Sequence, residues 1–128
     1  MMRHEIVELL QTHSIGRLCH LDGDYPLALP VNYRFHRDGD VETIVIQTTA
    51  SSRLALATGP AGFELDEIDL ATGRVWTVLA RGHLHRVHGT HDLPGTQPLI
   101  PTGRDQWLTL EIDSLTGRRF HLDPATPR

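Results

Sequence analysis

The ten residues "PLALPVNYRF", Pro26 to Phe35, constrain the fold more than any other stretch, because apolar and polar side chains alternate along them. In an extended chain Leu27, Leu29, Val31, Tyr33 and Phe35 fall on one face, and Ala28, Pro30, Asn32 and Arg34 fall on the other. A two-residue period held this long describes a strand with one side against a core. Turn signals bracket it, with "DGDY" at Asp22 to Tyr25 before and "HRDGDVE" at His36 to Glu42 after. Ile44, Val45 and Ile46 then continue as a strand that is apolar on both faces. Further strands fit Ile15 to Leu21, Gly62 to Ile68, Arg74 to Val87 and Gln106 to Ile112, with "DLATGR" as a turn. Helical signals are fewer. Ile6, Val7, Leu9 and Leu10 form a stripe that ends near His13 or Ser14, and Ser51 or Ser52 caps a short helix running through Thr58 to a stop at Gly59 and Pro60. Gly89 to Gly103, rich in Gly, Pro and Thr, reads as a loop. The sequence therefore predicts a mainly β protein with a few short helices. About six strands with short turns favour a small antiparallel barrel over a parallel sheet, which needs a helix after each strand.

Composition narrows the class. At 128 residues, with 39% hydrophobic and 22% charged side chains, the chain suits a single domain over residues 1–128. A formal charge of −4 and the lack of a long Lys/Arg block argue against nucleic acid as the main partner. The polar start "MMRHEIVELLQTH" and the shortness of every apolar run predict no signal peptide, no membrane span and a cytoplasmic protein. Cys19, the single cysteine, excludes an internal disulfide and makes no zinc site by itself.

Chemistry concentrates in "VIQTTASSRLALATGP", Val45 to Pro60, where Thr48, Thr49, Ser51 and Ser52 precede Arg53. Two readings of it stand: an ordinary helix start, or hydroxyls, free amides and a cation gathered to hold an anion. Trp76 and Trp107 lie on predicted strands, where a large aromatic packs a core or covers an aromatic ligand. In "HLHRVHGTH", His83 and His85 share a strand face, which is half of a metal site; with no partner cysteines the segment reads as a solvated strand end, and no metal is expected. Asp66, Glu67 and Asp69, at a strand end before a turn, read as surface charges. No hydrolytic triad or metal-hydrolase motif occurs.

"IGRL" at Ile15 to Leu18, "PVNY" at Pro30 to Tyr33, "TTASSRLA" at Thr48 to Ala55, "VWTVLARG" at Val75 to Gly82 and "TGRRF" at Thr116 to Phe120 resemble, in order and spacing, the pyridoxamine 5′-phosphate oxidase-like FMN-binding split-barrel family. The resemblance covers roughly residues 3 to 120 and implies a six-stranded antiparallel split β-barrel, usually a homodimer with two flavins in the grooves between subunits. It implies FMN as cofactor, with F420 or haem as alternatives known in relatives. The segment matching Thr48, Thr49, Ser51, Ser52 and Arg53 then holds the flavin phosphate, and Pro30, Val31 and Asn32 run beside the isoalloxazine ring; Trp76 and Trp107 are weaker candidates to cover it. Many relatives place a lysine after the arginine where this chain has Leu54, leaving Arg53 to supply most of the charge. The arginine- and histidine-containing C-terminal signature of true pyridoxamine 5′-phosphate oxidases is absent from "TGRRFHLDPATPR". The implied activity is therefore an FMN-dependent oxidoreductase on a small-molecule acceptor, more like a nitroimidazole reductase, with a non-catalytic flavin or haem carrier or sensor as the other reading.

Overall fold

The structure, a computed structural model, describes residues 1–49, 54, 57–87 and 105–123, the side chains of residues 49 and 105 excepted. Its elements run α1 (Arg3–Thr12), β1 (Ile15–Asp22), β2 (Tyr25–Asp38), β3 (Val41–Thr49), β4 (Gly59–Asp69), β5 (Arg74–Val87) and β6 (Asp105–His121). The strands close into an antiparallel barrel in the order β1-β2-β3-β6-β5-β4. Two three-stranded meanders are thus joined along two seams. The β3–β6 seam runs from Thr43↔Glu111 to Thr49↔Asp105, whereas β1 and β4 meet only at Arg17↔Glu64, Leu18↔Phe63 and Cys19↔Gly62. Among the described residues α1 is the one helix, and the helix expected from Ser51 or Ser52 to Thr58 falls mostly outside them. The loop expected from Gly89 to Gly103 lies wholly outside the described residues.

Alternation in β2 produces the core. Val31 and Tyr33 are buried, and Leu27, Leu29 and Phe35 pack against the same cluster. Facing rows Tyr33↔Ile46↔Leu108 and Phe35↔Ile44↔Leu110 fill the barrel with side chains from three adjacent strands. The β1–β2 and β2–β3 hairpins turn on Gly23 (φ +64°) and Gly39 (φ +59°), each followed by an aspartate without positive φ; glycine first in a two-residue loop suits the strand twist.

Helix α1 covers one end of the barrel. The Met2 amide donates to the Glu5 carboxylate at 3.1 Å, satisfying a donor at the helix start, while Ile6, Val7 and Leu10 turn inward. The Tyr33 hydroxyl donates to the Leu10 carbonyl at 2.7 Å, so the barrel holds the helix from inside. Burial pushes the Tyr33 pKa upward, keeping that hydroxyl a neutral donor. At the rim, Glu42 is 6% exposed and accepts from both Arg3 and Arg37, the latter at 2.7 Å.

Strand β6 extends nine residues beyond the expected Ile112, to His121. Arg81 faces Ser114 while Gly82 faces Ile112, so Asp113 is an extra residue at a bulge and the facing pattern resets there. Past the bulge Gly117 takes an inward place where a Cβ would lie 2.7 Å from Met1 Sδ and 2.8 Å from Ile6 Cγ1. The glycine that weakens the strand signal is what lets α1 pack on β6.

Candidate functional site

The expected cofactor residues do not all share one place. Since Val31 and Tyr33 point into the core, Asn32 faces outward; Ile46 and Leu108 do the same for Gln47 and Trp107. The register then sets Asn32, Gln47 and Trp107 side by side on β2, β3 and β6, with Val87 of β5 next in the row. Cross-strand neighbours stand about 4.5–5.5 Å apart, so two side-chain amides and an indole form one continuous surface. Asn32 and Gln47 are half-buried and Trp107 is 6% exposed. Trp107 and Val45 (1% exposed) lie outside the main core cluster, so the outer face of β3 and β6 here is itself covered.

Thr48 continues β3 past Gln47, half-buried and opposite Gln106, and Thr49 faces Asp105. Ser51, Ser52 and Arg53 lie outside the described residues. Their flank is anchored, because Leu54 (1% exposed) and Ala57 (4%) enter the core and the Ala57 amide donates to the Leu54 carbonyl at 3.0 Å. The Leu54 side chain thus enters an apolar interior, where an unpaired lysine would be costly.

Pro30 is exposed and lies opposite Arg17 with no shift of register against β1. On its other side the ladder is interrupted: pairing with β3 begins only at Asn32, which leaves Pro30, with no amide hydrogen to give, outside it. Val31 belongs to the core cluster and presents backbone, not side chain, to the outer face. Trp76 stands apart from this row. It pairs with Glu67 and Arg119 rather than near Val87, packs against the core, and meets the His13 ring edge-on at 5.2 Å and 74°. The two tryptophans occupy opposite faces of the sheet, and Trp76 serves the α1-covered end.

His83 and His85 do share the outer face of β5, and the His83 Nδ1 lies 2.8 Å from Asp113. Among the described residues no three metal-ligating side chains come together. Asp69 is a turn residue, accepting the Ala71 amide at 3.0 Å; hydrogen bonds from Thr72 and from that turn hold its carboxyl below the ordinary range.

One cluster was invisible in the sequence. Across the short β1–β4 seam, Arg17 donates to Glu64 at 2.9 Å and to Asp66 at 2.7 Å. Burial, and then the neighbouring Asp66, raise the Glu64 pKa; the hydrogen bond from Glu64, and then Arg17, lower that of Asp66. The signs oppose each other. Asp66 contributes stability that is lost as pH falls through its lowered pKa, whereas Glu64 contributes stability present in acid and lost as pH rises through its raised one. Glu64→Gln, which keeps a hydrogen-bond donor towards Asp66, is therefore expected to melt no lower than the parent at pH 7. Any advantage should vanish below the ordinary glutamate pKa of about 4.3. Thermal melts of both proteins at pH 7 and pH 4 check this; a lower melting temperature for the variant at pH 7 contradicts it.

The described residues form a closed six-stranded antiparallel barrel with α1 over one end, the architecture of a split barrel. The sequence model of the pyridoxamine 5′-phosphate oxidase family matches residues 2–119, and the chain belongs to that family. Among solved structures it is similar to the FAD binding protein from Mycobacterium smegmatis, with 23% identity and a TM-score of 0.78 over 96% of this chain and 98% of that one. It is also similar to a protein from Corynebacterium glutamicum described as a putative pyridoxamine 5′-phosphate oxidase, with 26% identity and a TM-score of 0.71 over 96% and 93%. A third, the FAD and heme binding protein from Mycobacterium smegmatis, shares 19% identity with a TM-score of 0.64 over 91% and 70%. No curated protein matches the chain. No helix among the described residues is long and apolar enough to cross a membrane.

Proposed function

We propose that this protein is a homodimeric flavin-binding protein that uses FMN in electron transfer to a small-molecule acceptor. The observation that carries the reading is the outer row of Asn32 and Gln47, two side-chain amides beside the indole of Trp107 on the family's barrel. This chemistry fits a flavin. The imide edge of an isoalloxazine offers both a donor and acceptors, which amide side chains match in either sense. A bound flavin supplies hydride or electron transfer, while Asn32 and Gln47 orient the ring and the covered face around Trp107 limits water. Thr48, Thr49, Ser51, Ser52 and Arg53 hold the phosphate in this reading, through hydroxyls, amides and one cation. A dimer is favoured by Ile15, the cross-strand neighbour of Asn32, which is apolar and 61% exposed in one protomer. Light scattering at micromolar concentration should give twice the chain mass, and a monomer contradicts it.

FAD is named for two of the three solved structures compared above and haem for one, and FAD carries the same first phosphate as FMN. Visible absorption of the purified protein, followed by titration with FMN, FAD, F420 and haem, separates the cofactors. Arg53→Ala isolates the phosphate site: FMN binding should weaken by about 1.5–3 kcal/mol, the range for a hydrogen bond to a charged group, and riboflavin binding should hardly change. Equal FMN affinity in both proteins, with a lower melting temperature for the ligand-free variant, assigns Arg53 a structural role instead.

A further inference from the structure

Beyond Glu64, β4 no longer has β1 beside it, so the ends of β4, β5 and β6 continue as a three-stranded extension outside the barrel wall. One face of that extension is a grid fixed by register. Glu67, Trp76 and Arg119 make one row, and Asp69, Arg74 and His121 make the next. All six line a cavity of about 540 Å³, within the range of small-ligand sites. We propose that this cavity is a binding site for a small aromatic carboxylate, separate from the cofactor face and independent of the flavin reading.

Charge sorts across the grid. The acids stand on β4, Arg74 on β5, and Arg119 and His121 on β6. The acids are already engaged: Asp69 accepts the amides of its own turn, and Glu67 lies 3.9 Å from His13. Arg119 pairs with Glu5 at 2.5 Å and is used in part. Arg74 is exposed and stands across from Asp69, whose carboxyl its charge helps to hold down, but its guanidinium donates no hydrogen bond to another described residue. It lies two residues from Trp76 on the same face of β5, directly opposite His121. A ring laid against the Trp76 indole would therefore direct its carboxylate to Arg74, with Arg119 and His121 beside it. Planar guanidinium pairing with a carboxylate and aromatic packing are both short-ranged, so a ligand needs both ends. The structural role of Trp76 against His13 leaves the indole only half-buried, and the cavity borders its remaining surface.

The two tryptophans give separate indole N–H signals in a nitrogen–proton spectrum, assigned by Trp76→Phe. Benzoate should move the Trp76 signal saturably and leave that of Trp107 in place. Benzyl alcohol, which keeps the ring, and acetate, which keeps the charge, should each bind at least tenfold more weakly. Arg74→Gln, with an otherwise superimposable spectrum, should weaken benzoate at least tenfold. The proposal is overturned if benzoate produces no saturable shift at Trp76, if Trp107 responds instead, if benzyl alcohol or acetate binds as well, or if Arg74→Gln leaves the affinity unchanged.

Discussion

Gly82→Ala should cost roughly 3 kcal/mol of stability, at the upper end for an overpacked site. A Cβ on Gly82 would lie 1.9 Å from the Glu111 carbonyl oxygen and 2.8 Å from its carbon, so the obstruction is backbone and no rotamer change relieves it. The position sits where the β5–β6 register shifts between Arg81 and Gly82, and opening the ladder there separates β5 from β6, the longest strand of the barrel. Gly62→Ala is the matched control. Its Cβ would meet nothing closer than 3.7 Å, and alanine costs less backbone entropy than glycine in a strand. Urea unfolding should shift the midpoint strongly for Gly82→Ala and little for Gly62→Ala, with unchanged slopes. Equal midpoints would mean that the bulge lies elsewhere.

Phe63→Ala should be at least as damaging, by about 3–5 kcal/mol, the usual range for truncating a buried phenylalanine. The side chain is 0% exposed, meets the Tyr33 ring edge-on at 4.6 Å, and faces Leu18 in the short seam that closes the barrel. Gly16 explains its fit, because a Cβ there would lie 2.2 Å from Phe63 Cζ. A coupling of definite sign follows. Gly16→Ala alone should destabilise by about 1–3 kcal/mol through overpacking, but its effect should shrink or reverse in the Phe63→Ala background, where the added methyl enters the vacated space. A double-mutant cycle measures that coupling; additive losses would show that Gly16 and Phe63 do not share the space.

Why some of this was legible and some not follows from the range of the interactions. The alternation from Leu27 to Phe35, the fully buried Ile44 to Ile46 and the whole of β5 are local patterns, and each appears as a strand where the sequence places it. The far half of β6 escaped because Ser114 and Gly117 interrupt the apolar period and the bulge at Asp113 changes its phase. Asp66 reads as a surface charge along the chain, yet Arg17 reaches it across a seam between strands distant in sequence. Gln47 escaped for the same reason, since only the β2–β3–β6 register sets it between Asn32 and Trp107. Trp76 and Trp107 looked alike as strand tryptophans, and the phase of each strand decides that one turns in and the other out.

The proposed function requires that the protein bind a flavin through its phosphate. Calorimetric titration of the ligand-free protein with FMN and with riboflavin should give one site per protomer and at least tenfold tighter binding of FMN, since riboflavin lacks the phosphate assigned to Thr48, Thr49, Ser51, Ser52 and Arg53. No binding of either flavin would contradict the central claim, and equal affinity for both would remove the phosphate site from it.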